Sequence, residues 1–165
     1  MSSAGAKQQL SQRHLAQNPD VIADCVKIDL AYGHGPSAHS LNLFYKLVPE
    51  EMAELAEAME EFRVTCANGT PDKEKLANLV KESYDVAALG ISLMHMLGVD
   101  ITAAWNAITQ NNFDKLDPVT GQPLRNEFGK VQKPAHWRKV DLAPVVEKDF
   151  DGMLETYKEF GKTAS

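Results

Sequence analysis

Between Asp85 and Asp100 the chain carries no Asp, Glu, Lys or Arg. The residues leading into this run, Leu76, Leu79, Val80, Ser83, Ala87, Ile91 and Met94, recur at helical spacing. A helix that is apolar on every side has to be enclosed by other helices. Val86 to Val99 is too short to cross a bilayer. The chain is therefore expected to be an all-α bundle built round this segment. Thr70 is read as the cap of the helix, with Pro71 in its first turn. Gly98 ends it, and Asp100 caps a further helix with Ile101, Ala104, Trp105 and Ile108 inward.

Other helices surround it. Asn18-Pro19-Asp20 opens one with Asn18 as cap, carrying Val21, Ile22, Cys25 and Ile28 or Asp29 inward, and it stops before Gly33-His34-Gly35-Pro36. His34 and His39, which flank that loop, read as solvated residues with a substrate contact as the alternative. From Ser40 to Arg63 the pattern is again helical. Pro49 lies inside it and is expected to kink or restart the helix. From Val48 onward, an apolar stripe of Val48, Met52, Leu55, Met59 and Phe62 is read as facing the core. Ala143 to Gly161 reads as a last amphipathic helix that closes the domain or packs on a second subunit.

Two acidic pairs stand out on these helices. Glu82 and Asp85 lie one turn apart where the uncharged run begins, an unusual place for a solvated pair. Glu51 and Glu54 lie beside the apolar stripe, whereas Glu57 and Glu60 point away from it and Glu50 sits further round. Four carboxylates brought together need a counter-charge, and a hard divalent cation takes carboxylate oxygens. The alternative is acids on wet helix faces. A di-iron bundle requires Glu-x-x-His pairs, and none is present. The alternating ligands and central glycine of an EF-hand are absent, as are a Walker loop, a nucleophile elbow and a dinucleotide fingerprint. His95, in the apolar run, reads as a core histidine.

Charge is distributed unevenly. The net charge is −6, which disfavours a nucleic-acid surface held by bulk charge. Yet Lys115 to Lys139 holds six Lys or Arg against Asp117 and Glu127. This stretch opens with the turn Asp117-Pro118-Val119-Thr120-Gly121 and contains a possible hairpin over Leu124 to Gln132. A basic arm beside an acidic centre suits a substrate that brings phosphates and metal, and an ordinary solvated loop is the alternative. Cys25 and Cys66 are far apart and form no metal motif, which is consistent with a reducing compartment. Met1 to Gln9 lacks the apolar run of a signal peptide.

The order of these pieces resembles the all-α nucleoside triphosphate pyrophosphohydrolases, the MazG-like and phosphoribosyl-ATP pyrophosphohydrolase-like proteins. Glu50-Glu51-x-x-Glu54 on one helix and Glu82-x-x-Asp85 on the next match the acidic motifs. Asn111-Asn112-Phe113-Asp114-Lys115, Gly121-Gln122-Pro123-Leu124-Arg125 and Gly129-Lys130-Val131-Gln132-Lys133 match the basic arm. The similarity spans roughly Leu41 to Trp137, and Phe113-Asp114 departs from the usual small polar pattern. It implies Mg²⁺, or alternatively Mn²⁺, held by Glu51, Glu54, Glu82 and Asp85. Glu50 then serves the attacking water or a second metal, and Asn112, Lys115, Arg125 and Lys130 meet substrate phosphates. It further implies hydrolysis of a nucleotide to the monophosphate and pyrophosphate by a homodimer or homotetramer. A cytoplasmic location follows, in a bacterium or a phage-infected host, with no membrane or nucleic-acid partner. An alarmone hydrolase and a non-catalytic nucleotide- or protein-binding module are the alternatives. The expected organisation is an arm or frayed helix over 1–17, the all-α domain over 18–140 with its basic arm at 115–139, and a C-terminal helix and tail over 141–165.

Overall fold

The computed structural model describes residues 20–162, so the expected arm over 1–17 lies outside the described residues. Five helices are described: α1 (Val21–Ala31), α2 (Ala38–Ala67), α3 (Lys73–Met96), α4 (Ile101–Phe113) and α5 (Ala143–Lys162). Among the described residues the fold is all-α. No described helix is long and apolar enough to cross a membrane.

The helix starts follow from local chemistry. Asp20, Ser37, Asp72 and Asp100 each accept a backbone N–H of the first turn, satisfying donors that have no partner within the helix. The cap of α3 is thus Asp72 rather than Thr70. Its carboxylate takes the N–H groups of Glu74 at 2.7 Å and Lys75 at 3.0 Å, two bonds that a single threonine hydroxyl does not match. The first described helix is likewise capped by Asp20; Asn18 and Pro19 lie outside the described residues. Gly98, at φ +68°, ends α3 in the left-handed conformation that suits glycine.

α2 runs unbroken through Pro49. Proline removes the N–H that would bond to the Tyr45 carbonyl, but Tyr45 and Pro49 are both exposed, so water can satisfy that carbonyl.

α2 and α3 form the central antiparallel hairpin. Its register is read from cross-contacts: Glu61 pairs with Lys75 near the turn, and Glu54 meets Lys81 two turns further in. At the far end Leu41 and Phe44 of α2 pack with Met96 of α3.

The uncharged half of α3 lies between two apolar clusters. On one side Ile91 packs with Cys25 of α1 and Ile101 of α4, and Ala88 and Met94 join them. On the other, Met96 packs with Leu41 and Phe44, together with Leu89, Leu93 and Tyr157 and Phe160 of α5. Two sides of the uncharged run are covered in this way, while Ala87, read as inward, and Gly90 remain exposed. α5 therefore closes onto its own chain, and the Tyr157 hydroxyl donates to the Leu97 carbonyl at 2.6 Å.

Several residues read as inward are not. Met52 and Met59 are about half exposed, whereas Ala58, on the other side of that turn, is buried. Leu76, Val80 and Trp105 are exposed as well. α2 turns a different side toward α3, the side bearing Glu51 and Ala58.

The basic segment has no regular strands. Isolated antiparallel bridges join Leu116 to Pro123 and Arg125 to Val131, and Asn126 and Lys130 close a tight loop whose N–H···O bond is 3.0 Å. The expected hairpin is thus reduced to bridges. The segment is tied back to α4: Trp137 Nε1 donates to the Asn111 carbonyl at 2.9 Å, and Asn111 Nδ2 donates to the Arg138 carbonyl at 2.7 Å.

Candidate metal centre

The hairpin register places Glu51 of α2 opposite Glu82 and Asp85 of α3. One carboxylate oxygen from each lies within 4.8 Å of the others. Glu82 and Asp85 share a face because they are one turn apart. Glu82 is only 6% exposed, and Glu51 and Asp85 are half-buried. All donors are hard carboxylate oxygens, the set preferred by Mg²⁺, Mn²⁺ and Ca²⁺ and not by soft metals. The residues present therefore fit a divalent cation.

The group already has a cationic neighbour. Lys81 Nζ lies 2.9 Å from Asp85 Oδ2, 3.0 Å from Glu82 Oε2 and 4.0 Å from Glu54 Oε2. Its hydrogen bonds to Asp85 and Glu82 hold the ammonium well above its ordinary pKa. The Glu51 pKa is raised as well, which for an acid disfavours the charged form. Burial, then repulsion from Glu54 and Asp85, raises its pKa, and Lys81 opposes the rise. A positive charge beside Glu51 would offset this rise.

The other acids read from the sequence sit differently. Glu54 is exposed and reaches the group through Lys81; with Glu57, Glu61 and the buried Glu82 it lines an acidic groove of about 340 Å³ between α2 and α3. Glu50 is exposed and is not one of the converging three. Asn112 and Lys115 meet each other at the end of α4, with Lys115 Nζ donating to Asn112 Oδ1 at 2.6 Å. Arg125 donates to the Gly129 carbonyl at 2.7 Å, and Lys130 is exposed. These four belong to the arm and its junction with α4, where Lys133 lies over the Trp137 ring at 4.5 Å and a cavity of about 680 Å³ opens. The cavities beside the carboxylates are lined from α1, α2 and α3.

Two features escaped the sequence reading. Lys81 stands four residues before Asp85, an ordinary helical ion-pair spacing, whereas the sequence reading supplies the counter-charge with a divalent cation. A second cavity, of about 190 Å³, adjoins Glu51 and Asp85 and is floored by Asp29 and Ser92. In the sequence Asp29 reads only as an alternative to Ile28 at an inward position. Compared with known proteins, the chain matches no family model, and no curated protein matches it.

Proposed function

We propose that the chain is a Mg²⁺- or Mn²⁺-dependent nucleotide pyrophosphohydrolase that converts a nucleoside triphosphate or related nucleotide to the monophosphate and pyrophosphate. The observation that carries this reading is the convergence of Glu51, Glu82 and Asp85 at the mouth of a buried helix. Bound there, the cation supplies Lewis acidity toward a phosphoryl oxygen and acidifies a water. Glu51, Glu82 and Asp85 hold it, and Glu54 stands within one lysine of joining them. Water attacks the α-phosphorus, the bond to the bridging oxygen breaks, and pyrophosphate leaves. Glu50, exposed beside Glu51, accepts the proton from water. In this reading Lys81 neutralises charge on the phosphates; Lys115, Arg125 and Lys130, which do not line the cavities beside the carboxylates, add to this where the arm meets the substrate, and Asn112 donates a hydrogen bond.

Self-association belongs to the same proposal. Tyr45, Met52 and Met59 recur every seven residues along α2 and are exposed; Leu76, Val80 and Tyr84 recur every four along α3 and are exposed too. Apolar rows of this kind mark surfaces that a partner covers, and a second copy in a homodimer or homotetramer is the occupant in this reading.

One observation favours a second reading. Lys81 already neutralises part of the acidic group, as it would in a non-catalytic helical module. Release of pyrophosphate from a panel of canonical, modified and alarmone nucleotides, with Mg²⁺, Mn²⁺ or chelator, separates the two. Metal-dependent release supports the enzyme; no release from any nucleotide with either metal leaves only the binding module.

A further inference from the structure

The cavity beside the carboxylates has a composition that the metal centre does not need. At about 190 Å³ it is below the roughly 300–1,000 Å³ of pockets that enclose whole drug-sized ligands. It suits one planar ring system with the remainder of the ligand outside. Phe44 and Leu89 give it apolar walls. Tyr32 and His34 stand at its edge, and the His34 ring is edge-on to both Tyr32 and Phe44, with centroids 6.2 and 6.1 Å apart.

The floor is polar and fixed. Asp29 is 5% exposed, and a buried carboxylate is tolerated only when hydrogen-bonded. Ser92 Oγ donates to its Oδ1 at 2.9 Å, and His95 Nδ1 faces its Oδ2 at 3.2 Å. A carboxylate offers about four acceptor positions, so two remain. The Ser92 hydrogen is engaged by Asp29, which leaves the serine oxygen as an acceptor as well. The floor therefore presents acceptors to whatever enters. A ring edge carrying N–H groups is matched, and a ring edge carrying a carbonyl at that place meets oxygen against oxygen.

We propose that this cavity receives the base of the nucleotide and that Asp29 is a specificity-determining residue that selects bases bearing an exocyclic amino group over their oxo counterparts. The inference rests on the pyrophosphohydrolase reading for the placement of phosphates at Glu51 and Asp85, and it adds the class of base. Cytosine is favoured over uracil, and adenine over hypoxanthine, because each pair differs by an amino group in place of an oxo group. Loss of a hydrogen bond to a buried charged acceptor corresponds to about 10- to 100-fold in affinity.

The test uses the full chain, with α,β-methylene triphosphate analogues of dCTP, dUTP, dATP and dITP titrated calorimetrically in the presence of Mn²⁺. Pyrophosphate release from the natural triphosphates is measured separately. The amino member of each pair should bind about 10- to 100-fold more tightly. Asp29→Asn, which replaces one acceptor by an N–H donor, should bring the ratio near one or invert it. Tyr32→Ala, at an exposed position, should weaken all four analogues alike while keeping the ratio, and it serves if Asp29→Asn does not fold. Equal affinities within both pairs in the unmodified protein overturn the proposal, as does an unchanged ratio in folded Asp29→Asn, or the absence of any analogue binding. Binding with the amino preference but without pyrophosphate release overturns the hydrolase reading and leaves the base pocket standing. Release without the preference overturns the pocket alone.

Discussion

Lys81 Nζ sits 2.9 Å from Asp85 Oδ2, inside the acidic group that Glu51 and Glu82 complete. The lysine and a divalent cation compete for the same oxygens. Lys81→Met should therefore strengthen Mn²⁺ binding, measured by calorimetry. The gain should be several-fold and not orders of magnitude, because Lys81 is 60% exposed and solvent screens the pair. Weaker metal binding in the variant would show that the lysine supports the site and does not compete for it.

Glu51→Gln and Asp85→Asn each remove one ligand charge while keeping the shape of the side chain. Metal-dependent turnover should fall by more than about 100-fold in both, with helical circular dichroism unchanged. Glu54→Gln should lose less, since Glu54 is exposed and reaches the group through Lys81. Equal losses for all three would place Glu54 among the ligands.

The raised pKa of Glu51 has a definite sign in a pH series. Its proton is held more tightly in the folded chain than in the unfolded one. The stability it contributes is complete below the unfolded value of about 4.3 and is lost as pH rises through the raised folded value. Cation binding needs the deprotonated form, so metal affinity should climb through that same window and metal uptake should release protons. Denaturant titrations with chelator and Mn²⁺ titrations, run on the parent and on Glu51→Gln, isolate the effect. Parallel pH curves for the two proteins would refute it.

The junction of α3 and α5 offers two tests of stability alone. Tyr157→Phe deletes the hydroxyl that donates to the Leu97 carbonyl and should cost about 1 kcal/mol. Gly98→Ala places a Cβ 2.9 Å from Met153 Cγ and Sδ at a positive φ, and it should cost at least about 1 kcal/mol more than zero strain would. Urea midpoints read both, and neither change should alter metal affinity.

Self-association is tested by charge. Met52→Glu and Val80→Glu sit at exposed positions and should shift the chain to monomer in sedimentation equilibrium without unfolding it. If the parent protein is already monomeric at tens of micromolar, the apolar rows serve another partner.

What was legible in the sequence divides along physical lines. Helix positions follow from periodicity and breakers, and the enclosed half of α3 follows from its lack of charge. The direction each helix faces does not. Met52 and Met59 form a regular apolar row, as a core stripe does, yet Glu51 and Ala58 take the inner side. Periodicity marks a face as apolar and says nothing of what covers it. Glu51, Glu82 and Asp85 were legible because a helical turn brings acids three residues apart onto one side, and a buried neighbour made them conspicuous. The path of the basic arm was not, because the arm has few regular hydrogen bonds and is positioned by Trp137 and Asn111. Asp29 and Ser92 meet only through the packing of α1 on α3, which no local pattern encodes.

All three converging carboxylates come from one helical hairpin. These contacts span a single helix-to-helix connection and need neither α5 nor the arm. The centre can thus be assembled as soon as α2 and α3 zip together, before α5 docks or the arm settles. A cation that binds this hairpin acts on the folding equilibrium by mass action, adding about 2.7 kcal/mol at a hundredfold excess over its dissociation constant. The ion that serves the chemistry would then also decide how much of the chain is folded when it is scarce.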